Sequence, residues 1–197
     1  MKKAFTGIIL SGGKNSRMGV NKAFLEINGK RLIDIILDIY KSIFTEIIIV
    51  TNDPLSYTEF SDIIIVTDIY KGKGPLGGIY TGLFYSHNNY AFVCACDMPS
   101  MNRDFILYMI EKTDKHDIIV PALSVGFQTL HAIYSRRCLP AIKKMSFSDK
   151  LKISGLFKDM RMLKITEEEI KSYDKDERLF LNINTPYDLK KQQEKIS

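Results

Sequence analysis

Cysteine is scarce in this chain, with three in 197 residues. An odd count argues against a disulfide framework and fits a reducing cytosol, so a cytoplasmic protein is expected. No apolar run approaches the roughly 18 residues of a membrane-spanning helix, and no membrane partner is expected. The opening Met1-Lys2-Lys3-Ala4-Phe5 lacks the apolar stretch and cleavage site of a signal peptide. Long Lys/Arg blocks are also missing. The formal charge of +5 is mild, and no aromatic-and-basic motif of the RNA-recognition kind accompanies it. Nucleic acid is therefore not an expected partner. A modest positive field does suit anionic small molecules such as nucleotides. There is no internal repeat, no low-complexity linker and no paired acid–base constellation.

What is present reads as an ordinary globular protein, 45% hydrophobic and 26% charged. Its length suffices for one domain with a substantial core, residues 1–197. Apolar strand-like runs alternate with helix-like ones. Ala4 to Leu10, Glu46 to Thr51, Ile63 to Thr67, Tyr90 to Cys96, Asp117 to Pro121 and Thr129 to Ser135 read as strands. Leu32, Ile35, Ile36, Ile39, Tyr40 and Ile43 recur at helical spacing. Further helices are expected from Pro75 onward and over Phe105 to Thr113, Arg136 to Met145 and Asp149 to Met160, with Gly155 as an interruption. A last helix is expected from Thr185-Pro186, with Thr185 as its cap. Glu167 to Arg178 is densely charged and reads as a solvated surface segment. The alternation predicts an α/β fold: a mostly parallel central sheet with helices on both faces.

The chain's chemistry is concentrated where Ile8 to Leu10 meets Ser11-Gly12-Gly13. Glycine allows positive φ and close approach to a ligand. Successive free N–H groups in such a turn form an anion-binding concavity. Lys14, Arg17 and Lys22 add three cations within nine positions. The arrangement suits a phosphate chain, but it is neither a Walker loop nor Gly-x-Gly-x-x-Gly. On spacing alone, phosphate binding and a plain turn both remain open.

In open α/β sheets, ligands sit beyond the carboxyl ends of the strands. Asn52 and Asp53 follow the second strand, Asp68 the third and Asp97 the fourth. Asp97 ends an apolar run abruptly. Its carboxylate is a hard ligand suited to Mg²⁺, or else the cap of a turn or helix. Cys94 and Cys96 read as small core residues on one strand face. Gly77 and Gly78 lie in the first helical turn after Pro75, where glycine is costly. That cost signals close approach, either by a base or by a neighbouring strand. His131 reads either as a site residue or as a buried histidine bonded to backbone.

The string Leu10-Ser11-Gly12-Gly13-x-x-Ser16-Arg17-Met18-Gly19-x-x-Lys22 resembles the signature loop of the sugar-nucleotide and cofactor nucleotidyltransferases. Within them it looks most like the molybdenum cofactor guanylyltransferase family. Cys96-Asp97-Met98-Pro99, Gly74-Pro75-Leu76-Gly77-Gly78, Leu130-His131-Ala132 and Asn182-Ile183-Asn184-Thr185-Pro186 extend the resemblance over nearly the whole chain. Two positions depart from the pattern: Ser11 stands where alanine is usual, and Asn21 where aspartate is usual.

The resemblance implies a Rossmann-like nucleotidyltransferase with a nucleotide-binding part of about 1–100 and a cofactor-side part of about 101–197. It implies transfer of GMP from GTP to the phosphate of molybdopterin, with pyrophosphate released. Arg17, Lys22 and Asp97 would be catalytic. Leu10, Ser11, Gly12, Gly13, Lys22, Asn52, Asp68, Gly77 and Asp97 would bind GTP. Asp97 would hold Mg²⁺, with Asn182 or Asn184 as a second contact, and His131 would face the cofactor. Proteins of molybdenum cofactor synthesis or insertion are the implied partners. The Gly-Pro-Leu string favours guanine, because related cytidylyltransferases carry serine-rich sequence there. Cytidylyl transfer to the same cofactor, and nucleotide or cofactor binding without turnover, are the rival readings.

Overall fold

The first apolar run is too hydrophobic on both faces to lie at a sheet edge, and it does not. In the computed structural model, which describes residues 2–12, 21–183 and 188, it forms β1 (Lys3–Ser11). β2 (Glu26–Ile27) and β3 (Lys30–Arg31) form a small antiparallel hairpin. α1 (Leu32–Ile43), β4 (Phe44–Thr51), β5 (Ile64–Val66), α2 (Gly74–Tyr85), β6 (Tyr90–Ala95) and α3 (Arg103–Glu111) follow. Then come β7 (Ile118–Leu123), β8 (Gly126–Phe127), β9 (His131–Ser135), α4 (Leu139–Phe147), β10 (Met162–Ile165) and α5 (Glu167–Lys171). The main sheet runs β10-β7-β9-β6-β1-β4-β5, with β8 paired to β7. β1 is parallel to both β4 and β6, and β5 is parallel to β4. β9 runs antiparallel between β6 and β7.

Register decides where chemistry can gather. Leu10 lies opposite Val50 on one side and Ala95 on the other. The carboxyl ends of β1, β4 and β6 are therefore level, and the residues after them, Gly12, Asn52 and Asp97, emerge at one rim of the sheet.

Strand alternation feeds two cores. Ile9, Phe92 and Cys94 face α1 and α3, meeting Ile36, Tyr40, Phe105 and Met109. Ile8, Leu10 and Val93 face α2 and α4, meeting Ile79, Leu83 and Ile142. Each fully buried Ile or Leu contributes roughly 1.5–3 kcal/mol. Helix α2 lies against β1 through its glycines. A Cβ on Gly82 would stand 2.7 Å from Ile8, and one on Gly78 3.0 Å from Leu10. For these two positions the close approach is thus a neighbouring strand's. Among the described residues, no helix is long and apolar enough to cross a membrane.

The structure corrects several boundaries. Asp149 to Met160 is not an α-helix: Ile153–Lys158 forms 3₁₀ turns instead. Its buried residues, Ile153 and Leu156, are three apart, which is the 3₁₀ period. β10 and the β2–β3 hairpin are additions, the latter turning at Asn28-Gly29 with φ of 50° and 76°. The charged stretch after Ile165 is not wholly solvated. Thr166 and Glu169 close a capping box, and α5 buries Ile170. Thr185-Pro186, the expected start of the last helix, lies outside the described residues.

At the sheet end remote from the rim, Asp117 is buried. It accepts from Arg137 Nε at 2.5 Å and from Arg161 Nε at 3.1 Å. Arg161, Arg137 and the Arg161 backbone N–H together hold the carboxyl down at about 2. Asp117→Asn should lower stability by roughly 1–3 kcal/mol through lost charge-assisted bonds. The same depressed carboxyl contributes stability above its unfolded value, near 4, that is lost as pH falls through about 2. Denaturant titrations of both proteins from pH 6 to pH 2 should therefore converge at the acid end, and a constant gap would refute this.

Candidate active site

Lys22 opens a 3₁₀ turn, Lys22–Phe24, whose N-cap is Asn21. The Asn21 side-chain oxygen accepts the Ala23 N–H at 3.1 Å. An amide thus does the capping that a carboxylate would do, since asparagine and aspartate rank alike at caps. Ala23 and Phe24 pack inward, Phe24 on the Tyr57 ring at 5.1 Å. Lys22 Nζ then lies 3.3 Å from Asp97 Oδ2, with both side chains partly exposed.

Asp97 leaves the end of β6, a strand fixed on both sides by β1 and β9. Its carbonyl accepts the Ile183 N–H at 2.9 Å, which brings exposed Asn182 to the same strand end. Capping does not occupy Asp97: the helix that follows, α3, is capped by Asn102, which accepts from Asp104 and Phe105 N–H. Cys94 and Cys96 are buried and free, as their spacing on one strand face suggests. Burial pushes the Cys96 thiol up to about 11. Among the described residues no cluster of three or more Asp, Glu, His or Cys forms a cage for a metal. One carboxylate beside the glycine turn is, however, a donor set that fits Mg²⁺, which takes one or two carboxylates and completes its shell with phosphates and water.

The second half of the rim lies over Gly12. Asn52 Nδ2 is 3.5 Å from where a Gly12 Cβ would be, and 3.5 Å from Asp68 Oδ2. Asp68 is half-buried, and burial raises its carboxyl. Its Oδ1 is enclosed and, among the described residues, has no hydrogen-bond partner. Such an acceptor is costly until a donor arrives. Gly78 lies beside it, 3.7 Å from a built Cβ to Asp68 Oδ1. Gly77 is roofed by the Tyr70 carbonyl, 3.0 Å from its Cβ direction.

The structure thus gathers Leu10, Ser11, Gly12, Lys22, Asn52, Asp68, Asp97 and Asn182 along one rim. Gly13, Lys14, Ser16, Arg17 and Asn184 lie outside the described residues. His131 is elsewhere. It is fully buried in the core between Phe92, at 5.0 Å, and Phe180, at 5.2 Å. Neither ring nitrogen has a partner among the described residues, and burial holds the ring neutral, down at about 3. Facing a cofactor would require this aromatic cluster to open. The backbone bond expected of a buried histidine is also missing.

Sequence reasoning passed over Tyr57. It ends the short 3₁₀ turn Pro54–Tyr57 after β4 and is fully buried. Its hydroxyl lies 2.5 Å from Ser11 Oγ and 3.1 Å from Asn21 Nδ2. No motif marks it, since an aromatic after a strand is usually core.

Residues 7–163 match the family model described as the MobA-like NTP transferase domain. A protein of Desulfosudis oleivorans named molybdenum cofactor guanylyltransferase is 37% identical over 95% of this chain and 94% of its own. One from Natranaerobius thermophilus, named probable molybdenum cofactor guanylyltransferase, is 35% identical over 93% of this chain and 92% of its own. The solved structure of molybdopterin-guanine dinucleotide biosynthesis protein A from Archaeoglobus fulgidus superimposes with a TM-score of 0.82 and 25% identity, covering 98% of each chain.

Proposed function

From the premise that this chain belongs to the MobA-like NTP transferase family and is a nucleotidyltransferase, we propose that it transfers GMP from GTP to molybdopterin. The products are molybdopterin guanine dinucleotide and pyrophosphate. The observation that carries the proposal is the Lys22–Asp97 pair, 3.3 Å apart, where β1 and β6 end beside Gly12. An ammonium and a carboxylate at one spot suit a nucleotide triphosphate: the first neutralises phosphate, the second takes the metal that phosphate brings.

An oxygen of the molybdopterin phosphate attacks the α-phosphorus of GTP, and the bond to pyrophosphate breaks. The attacking oxygen is already ionised, so no general base is needed. Nucleotidyl transfer gains mainly from positioning and charge stabilisation. Backbone N–H groups of Gly12 and Gly13 hold the triphosphate, and Lys22 and Arg17 neutralise it. Mg²⁺, held by Asp97 with Asn182 or Asn184 as second contact, supplies charge neutralisation for the departing pyrophosphate. Leu10, Ser11, Asn52 and Gly77 line the nucleotide. Asp68, whose enclosed oxygen calls for a donor, accepts a hydrogen bond from the guanosine. The chain acts as one nucleotidyltransferase unit, with GTP held by about 1–100 and the cofactor presented by about 101–197. It works in the cytoplasm, where its three buried thiols stay reduced, and it exchanges substrate and product with other proteins of molybdenum cofactor assembly.

Base choice tests the proposal. A site that hydrogen-bonds one base leaves polar groups unpaired with another, and rejection is then large. Competition between GTP and CTP, read as pyrophosphate and dinucleotide formed, should favour GTP by roughly a hundredfold or more. Preference for CTP would establish the cytidylyl reaction instead. Binding of either without pyrophosphate release would establish a non-catalytic protein.

A further inference from the structure

Both ends of the segment joining β1 to Lys22 meet at one buried hydroxyl. Asn21 uses its carbonyl oxygen for the Ala23 N–H, so its amide N–H groups point to Tyr57 Oη. Tyr57, accepting from Asn21, directs its own proton to Ser11 Oγ, 2.5 Å away. Ser11 in turn hydrogen-bonds the Cys96 thiol. The chain of polar groups is therefore Asn21, Tyr57, Ser11, Cys96. Its first member precedes Lys22 in sequence, and its last precedes Asp97. Tyr57, Ser11 and Cys96 are all buried, in a core otherwise made of Phe24, Phe60, Ile9 and Cys94.

Resting on the proposed reaction, we infer that Tyr57 is a positioning residue: its hydroxyl, bonded to both Ser11 and Asn21, sets Lys22 against Asp97. A buried polar chain that is fully satisfied admits few other arrangements, because each alternative leaves a donor or acceptor unpaired. Apolar packing alone would not fix the turn so closely. The Tyr57 ring could slide against Phe24 and Phe60 at little cost if no hydroxyl had to be met. Tyr57 touches no substrate, being fully enclosed. Its effect passes through the turn that Asn21 caps.

Tyr57→Phe keeps the ring contacts and removes only the hydroxyl. In the full chain, kcat for guanylyl transfer should fall about tenfold, because slight misplacement of a charge-stabilising group is felt mainly in the transition state. KM for GTP should stay within about threefold, and the melting temperature should drop by only a few degrees. Ser11→Ala should lower kcat in the same direction. Ser11→Ala combined with Tyr57→Phe should be no worse than Tyr57→Phe alone, since both cut one chain.

A second readout needs no turnover. Reductive methylation followed by peptide mass analysis should show Lys22 labelled several times faster in Tyr57→Phe, with exposed Lys71 unchanged. A kcat within twofold of wild type, or an unchanged Lys22 labelling rate, overturns the inference and leaves Tyr57 as core packing. If Tyr57→Phe fails to fold, Ser11→Ala carries the same two measurements. If wild type releases no pyrophosphate from any nucleotide, the proposed function fails, and the labelling ratio alone decides this inference.

Discussion

Lys22→Ala is expected to lose about two or more orders of magnitude in guanylyl transfer while its far-ultraviolet spectrum and melting temperature stay close to wild type. The separation of effects follows from where the residue sits. Its backbone belongs to a turn held by Asn21, by buried Ala23 and by Phe24 on Tyr57. None of these contacts uses the Lys22 side chain. That side chain is partly exposed, so its ion pair with Asp97 adds little to stability. Alanine is well tolerated in a turn of this kind. What disappears is a point charge at the end of a long reach, aimed where phosphate charge shifts from the α-phosphorus to the leaving group. Steady-state assays at saturating GTP, beside a thermal melt, check the expectation. Wild-type turnover in a folded mutant would remove Lys22 from the mechanism.

Asp97→Asn should be comparably damaging, with a different signature. The substitution keeps size and keeps a hydrogen-bonding group near Lys22, but it removes the charge that a hard cation prefers. Turnover should fall by roughly a hundredfold, and the Mg²⁺ concentration for half-maximal rate should rise. Stability should change little, because the structural tie at this position is the Asp97 backbone carbonyl, which accepts from Ile183 whichever side chain is present. Rate against Mg²⁺ for both proteins is the decisive curve. Superimposable curves with equal maxima would place the metal on other residues. Because Lys22 and Asp97 touch, the two substitutions should not be additive: each leaves the other partner without its counter-charge.

The rim was legible in the sequence because it depends on signals that survive without tertiary information. Continuous apolar runs identified β1, β4 and β6 as buried strands. The polar residue that follows each run, Gly12, Asn52 or Asp97, could then be read off directly. The level ends of these strands turn three separate positions into one site. Resemblance supplied the chemistry that spacing left open. The elements passed over were those whose signals are short or mixed. β10 is a partly buried edge strand of four residues with a lysine inside it. α5 carries three glutamates in its first turn, and the run of charge hid a capping box that was in plain view. His131 shows the opposite difficulty. A strand histidine within a matching motif draws a functional reading, yet strand alternation already put it on the face of Ile133, which packs into the core. Tyr57 was out of reach, because its importance lies in two partners distant in sequence from it and on opposite sides of the glycine segment.

The hydrogen bond from Ile183 to the Asp97 carbonyl also bears on the order in which the molecule becomes competent. The matched family region ends at residue 163, by which point all but the last strand residues of the sheet have been synthesised. β1, β4, β5 and β6 can already pair, and β9 can already close against β6. The strand end bearing Asp97 nevertheless stays untied until residues far along the chain return to it. A nascent chain emerging from the ribosome can therefore hold its nucleotide-facing sheet before its metal-facing corner is secured. Completion of the tail then acts as a timing step, delaying commitment of GTP until synthesis is nearly finished.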